Sequence, residues 1–93
     1  MVYNPFDYIK QIEDEEANEV VKKLRRDGKS IRIRTDSYMV FGEDYDEWDE
    51  YLVKIEVMGK NTSHPLPVFT YKCHYTLSRE DADNFRDGLR SIV

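Results

Sequence analysis

Tyr51-Leu52-Val53-Lys54-Ile55-Glu56-Val57-Met58 alternates in side-chain character with a period of two. Tyr51, Val53, Ile55 and Val57 fall on one side of an extended chain and Leu52, Lys54, Glu56 and Met58 on the other, the pattern of a strand with one buried face. Upstream, Ile31 and Ile33 alternate with Arg32 and Arg34, and the same strand continues or restarts through Tyr38-Met39-Val40-Phe41, with Asp36-Ser37 read as a bulge or turn. Downstream, Gly59 to Pro67 reads as a loop. A third strand follows, with Phe69, Tyr71, Cys73, Tyr75 and Leu77 on one face and Thr70, Lys72, His74 and Thr76 on the other.

Helical periodicity flanks these strands. Asn4-Pro5 supplies a cap and a first-turn proline, and Ile9, Ile12, Val20 and Leu24, with Tyr8, Ala17 and Val21, form one apolar stripe, which predicts a helix from Asn4 to Arg26 or Asp27 ended by Gly28. Ser78-Arg79-Glu80-Asp81 resembles a capping box and opens a last helix, whose buried stripe is Ala82, Phe85, Leu89 and Ile92. The expected fold is therefore α+β with the order α-β-β-β-α: a three-stranded antiparallel meander with both helices packed on one face, and one domain over residues 1–93. A first helix of about 23 residues spans roughly 34 Å and runs antiparallel to the first strand.

The net charge of -5 conceals a segregation of sign. Residues 1–21 hold Lys10 against Asp7, Glu13, Asp14, Glu15, Glu16 and Glu19. Residues 22–34 reverse this, with Lys22, Lys23, Arg25, Arg26, Lys29, Arg32 and Arg34 against Asp27. Residues 35–51 hold seven acids and no base. The predicted helix direction brings the two acidic stretches toward one pole.

The acidic run Glu43-Asp44-Tyr45-Asp46-Glu47-Trp48-Asp49-Glu50 is the first candidate binding site. Mutual repulsion of its carboxylates costs stability, and an exposed Trp and Tyr gain little unless something covers them. Tyr and Trp are also enriched at binding hot spots. The expected function is a non-enzymatic protein-binding module or inhibitor that docks this pole onto a basic, nucleic-acid-binding surface of a target, with carboxylates standing where phosphates stand. Its physical profile resembles that of small phage-encoded inhibitors and DNA mimics. The competing view is a solvated hairpin tip with Trp48 and Tyr51 tucked into the core.

The alternative is nucleic-acid binding by Arg32, Arg34, Lys54 and Lys72, which with His74 are expected on the open sheet face, where Glu56 is the only acid. The helix, three strands, helix order is similar to that of the double-stranded RNA-binding domain. That family reads RNA with a basic cluster at the start of its second helix and a basic or His-containing loop between its first two strands. Here those places hold Ser78-Arg79-Glu80-Asp81 and the acidic run, so the resemblance concerns topology and not RNA binding.

Nothing points to catalysis. His64, His74 and Cys73 are the only His and Cys side chains, and Cys73 and His74, adjacent in a strand, are expected on opposite faces. Asp44 and Asp46 alternate as calcium ligands do, but the Gly and Glu of an EF-hand loop are missing. No cofactor or metal is expected. Asn61-Thr62-Ser63 matches a glycosylation sequon, yet Met1 to Pro5 has neither the basic nor the apolar segment of a signal peptide, and a lone cysteine suits a reducing compartment. The expected setting is the cytoplasm, and the expected state a monomer or weak homo-oligomer.

Overall fold

The computed structural model describes residues 9–59 and 66–93. The elements in chain order are β1 (Ile9–Gln11), α1 (Asp14–Arg26), β2 (Ile31–Phe41), β3 (Glu47–Met58), β4 (Pro67–Thr76) and α2 (Arg79–Arg90). The molecule is α+β, but the sheet has four strands in the order β1-β4-β3-β2, and β1 lies parallel to β4. The expected antiparallel meander is present as β2, β3 and β4. The fourth strand is the correction.

That strand comes out of the predicted first helix. Ile9 and Ile12 are three residues apart, which suits a helix, but Ile9–Gln11 pair instead with Thr70–Lys72, and the Ile12 amide donates to the Lys72 carbonyl at 2.9 Å. The helix begins only at Asp14 and has 13 residues, or roughly 20 Å. Asn4-Pro5, the expected start, lies outside the described residues. Glu13 is the N-cap and makes no side-chain capping bond, so no Ser, Thr, Asp or Asn signal marks the true beginning.

The end of α1 and the start of α2 follow the sequence. Gly28 sits at φ 73°, and its amide donates to the Arg25 carbonyl while that of Lys29 donates to Leu24, the paired bonds that close a helix over a left-handed residue. At the start of α2 the Ser78 hydroxyl accepts from the Asp81 amide at 3.2 Å. The two helices run parallel to each other. Their amino-terminal Asp14 and Asp81 both meet His74, and at the far end the Arg25 guanidinium donates to the carbonyls of Arg90 (3.2 Å) and Ile92. Arg25 thereby satisfies carbonyls that a helix end leaves free.

Ile33, Val53, Ile55 and Cys73 form the sheet's share of the core, against Ala17 and Val21 of α1, Ala82 and Leu89 of α2, and Ile12. Ala17 and Ala82 are fully buried and let each helix approach the strands closely. Each large aliphatic side chain removed from water contributes about 1.5–3 kcal/mol, so this single layer supplies most of the driving force. Both helices therefore cover one face, as the alternation requires.

Two register details differ from expectation. β2 is unbroken through Asp36-Ser37, with all eleven residues matched to β3. β4 instead carries two register shifts: one at its start, where Val57 faces Phe69 but Met58 faces Pro67, and one where Val53 faces Cys73 but Tyr51 faces Thr76, so one extra residue is inserted, and His74 adopts φ 58° there. The bulge moves His74 to the helix side, beside Cys73 and not opposite to it, and turns Tyr75 out to the open face with Tyr38. Leu77, expected in the buried row, is 68% exposed.

Candidate functional site

β2 and β3 are longer than anything beside them. Thr76, the last residue of β4, pairs with Tyr51, which pairs with Ser37, and α2 starts at the same level. Beyond that line Tyr38 to Glu50 continues as a two-stranded arm for about 13 Å before its turn. A lone hairpin is marginal in water, so local contacts must hold it. The Tyr38 hydroxyl donates to Glu50, its ring meets Tyr75 edge-on at 6.2 Å, and Trp48 Nε1 lies 3.3 Å from the other Glu50 oxygen. The Tyr38 hydroxyl is pushed up to about 12, first by that hydrogen bond to Glu50. The indole lies against Gly42, whose missing side chain makes the space: a Cβ there would come within 2.9 Å of the ring. At the turn the Gly42 amide donates to the Asp46 carbonyl at 2.7 Å, and Tyr45 takes φ 60°.

The sequence-derived residues Glu43 to Asp49 are all exposed, and Glu50 is half-buried. Tyr45 is 98% exposed and Trp48 41%, whereas Tyr51 packs against the edge of the core. Met39 and Phe41, on the other side of the arm, are exposed at 52% and 71% and were not singled out from the sequence. Their signal was available: they fall in an uncharged run, Ser37 to Phe41, that outlasts the helices. Among the described residues none of the six carboxylates Glu43, Asp44, Asp46, Glu47, Asp49 and Glu50 forms an ion pair. Two such groups about 6 Å apart repel by roughly 0.7 kcal/mol in water before screening, a cost the fold leaves uncompensated. The first turn of α1, with Asp14, Glu15 and Glu16, points to the same end but stops at the arm's base, where Asp14 meets His74.

The alternative site is differently arranged. Arg32, Arg34, Lys54 and Lys72 do share the open face, but Glu56 is not its only acid, since Asp36 and Glu50 alternate onto it too. Arg32 Nε and Arg34 Nε donate to one oxygen of Glu56 at 2.9 and 2.7 Å, and Lys54 reaches Asp36 at 2.5 Å. Burial raises the Glu56 carboxyl, yet the bonds from Arg32 and Arg34 outweigh it and hold the group below the usual carboxylate range. The Lys54 bond likewise lowers Asp36. Three of the four cations are thus neutralised within the sheet, and Lys72 alone is without an acidic partner among the described residues. Beside it lies a shallow depression of about 350 Å³ between Tyr38, Leu52, Lys54 and Tyr75.

His74, expected on this face, is a latch in the helix layer. Its ring stacks on Phe85 at 4.2 Å, Nδ1 bonds Asp14 at 2.8 Å, and Nε2 lies 3.2 Å from Asp81 but off the line of a hydrogen bond. Burial pushes the neighbouring Cys73 thiol up to about 12. Such a thiol is a core group and not a nucleophile. Among the described residues no cluster of three or more His, Cys, Asp or Glu side chains is placed to hold a metal ion, and no helix is long and apolar enough to cross a membrane. Compared with family models, curated proteins and solved structures, the chain matches none.

Proposed function

We propose that this chain is a non-enzymatic protein-binding module whose β2–β3 arm docks onto a basic surface of a target protein. One observation carries the reading: a two-stranded arm stands clear of the helix layer and bears, around Tyr45 and Trp48, six carboxylates with no ion-pair partner among the described residues. A fold gains nothing from holding like charges and aromatic rings together in water. A cationic groove lined with apolar contacts removes both costs at once, and Tyr and Trp anchor such contacts. A groove that ordinarily holds nucleic acid fits this chemistry, which makes the module an inhibitor of the DNA-mimic kind. The neutralised open face favours this reading over direct nucleic-acid binding.

The test is capture from the source cell with tagged wild-type chain and with a triple charge reversal, Asp44→Lys, Asp46→Lys and Glu47→Lys. The expected result is a basic partner that the wild type retains at low salt, releases as salt rises, and exchanges for nucleic acid in competition. The reversed variant should recover none of it. Equal recovery by both forms rejects the arm as the docking element, and a low-salt gel shift of duplex RNA or DNA by the chain alone moves the function to the open face.

A further inference from the structure

We infer that two copies of this chain join through the free edges of β2, antiparallel across a twofold axis at Met39. The inference concerns an edge of the sheet and stands whether or not the arm docks onto a target.

β2 is the terminal strand of the sheet, so half of its backbone groups point away from β3. Bonds at both ends of the ladder fix which half. The Met58 amide donates to Ser30 and the Gly42 amide to Asp46, so the even-numbered residues of β2 bond to β3 and the odd-numbered ones face outward. Two side chains already occupy outward groups: Arg90 Nε donates to the Ile33 carbonyl at 2.9 Å, and Asp36 Oδ1 accepts from the Ser37 amide at 2.9 Å. The lower half of the edge is thereby blunted. From Met39 to Phe41 no described side chain does the same, and the run Ser37-Tyr38-Met39-Val40-Phe41 has no charge, no Gly and no Pro, the composition of a strand open to pairing.

The open stretch is complementary to itself. With Met39 on the axis, Met39 meets Met39 of the second copy and Phe41 meets Ser37, all odd-numbered residues, so their outward groups match in register and about four main-chain hydrogen bonds form, the two Ser37 amides staying with Asp36. Met39 and Phe41, exposed in one copy, then lie side by side across the seam. Phe41 is brought to the level of Ser37 on the helix side of the second copy, where a depression of about 160 Å³ is lined by Thr35, Ser37, Tyr51 and Arg79. An aromatic ring there meets the exposed Arg79 guanidinium.

So short a seam implies a weak dimer, with a Kd of about 10–100 µM. Sedimentation of the full chain from 1 µM to 1 mM should show the average mass rising from one chain to two. Met39→Lys sets like charges on the axis and Met39→Pro removes an outward amide that β3 does not use; each should weaken association at least tenfold while far-ultraviolet circular dichroism stays unchanged. Register is read by oxidation. Met39→Cys should cross-link copy to copy, because residues paired across such a ladder lie about 5.5 Å apart, within disulfide reach, whereas Ser37→Cys should not, its two positions being about 13 Å apart along the strands. A chain that is monomeric at 1 mM, a Met39→Lys variant that associates like the wild type, or equal cross-linking at positions 37 and 39 overturns the inference. The first of these leaves the edge to a strand of another protein.

Discussion

Replacing Glu56 with Gln keeps the shape of the side chain and removes the one charge that Arg32 and Arg34 share. Glu56 is 3% exposed and accepts both guanidinium bonds on a single oxygen. A hydrogen bond to a charged group has a net worth of roughly 1.5–3 kcal/mol, but Arg32 and Arg34 are themselves 51% and 37% exposed, so water takes up part of what they lose and the amide oxygen still accepts from one of them. The expected cost is about 1–2 kcal/mol. In a domain of this size each kcal/mol moves the melting temperature by roughly 4–8 °C, so Glu56→Gln should melt about 4–15 °C lower at pH 7. The dependence on pH has a definite sign. The folded carboxyl is held below its ordinary value, so its contribution is complete above the unfolded pKa of about 4.3 and disappears as pH falls through the lower folded value. The gap between wild type and variant, followed by thermal melts from pH 7 downward, should close in acid. A variant that melts with the wild type at pH 7, or a gap unchanged at the lowest pH where both fold, refutes the argument.

The same variant should also bind duplex nucleic acid at low salt more tightly than the wild type in a gel shift, because two guanidinium groups on the open face lose their counter-charge. Gly28→Ala places a side chain in the left-handed region with no neighbour to clash, so it should cost about 1–2 kcal/mol by denaturant unfolding, and Gly28→Asn less. Gly42→Ala forces the Trp48 ring off its seat and should shift indole emission to the red with little loss of global stability. Native Cys73 should resist thiol reagents at pH 8 and react at the rate at which the protein unfolds, since the group is buried and titrates near 12.

Local chemistry was legible in the sequence and pairing between distant segments was not. Gly28 and Ser78 act on their own backbone neighbours, and the alternation of residues 31–34 and 51–58 is a property of each strand alone. β1 is different: three residues with no turn before a partner about sixty positions away leave only a spacing of apolar side chains, and that spacing suits a helix equally well. The bulge at His74 is invisible for a related reason, because no Gly marks its positive φ, yet one inserted residue exchanges the faces of everything after it. Of the candidate site, the acids and rings of the arm were found from charge and composition. Their exposure depends on where α2 and β4 stop, a tertiary fact. Glu56 was visible as an acid among bases, and its register opposite Arg32 turns that oddity into an ion cluster.

The parallel helices make the molecule an electrical vector. The aligned peptide dipoles are partly offset by acids at their starts and by Lys23, Arg25, Arg26 and Arg90 at their ends, and those same charges leave formal positive charge at one extremity and negative at the other. In the field of a cationic surface such a body feels a torque as well as a pull. It arrives arm foremost, so fewer collisions are lost to misorientation, and added electrolyte slows its association by weakening that alignment together with the attraction.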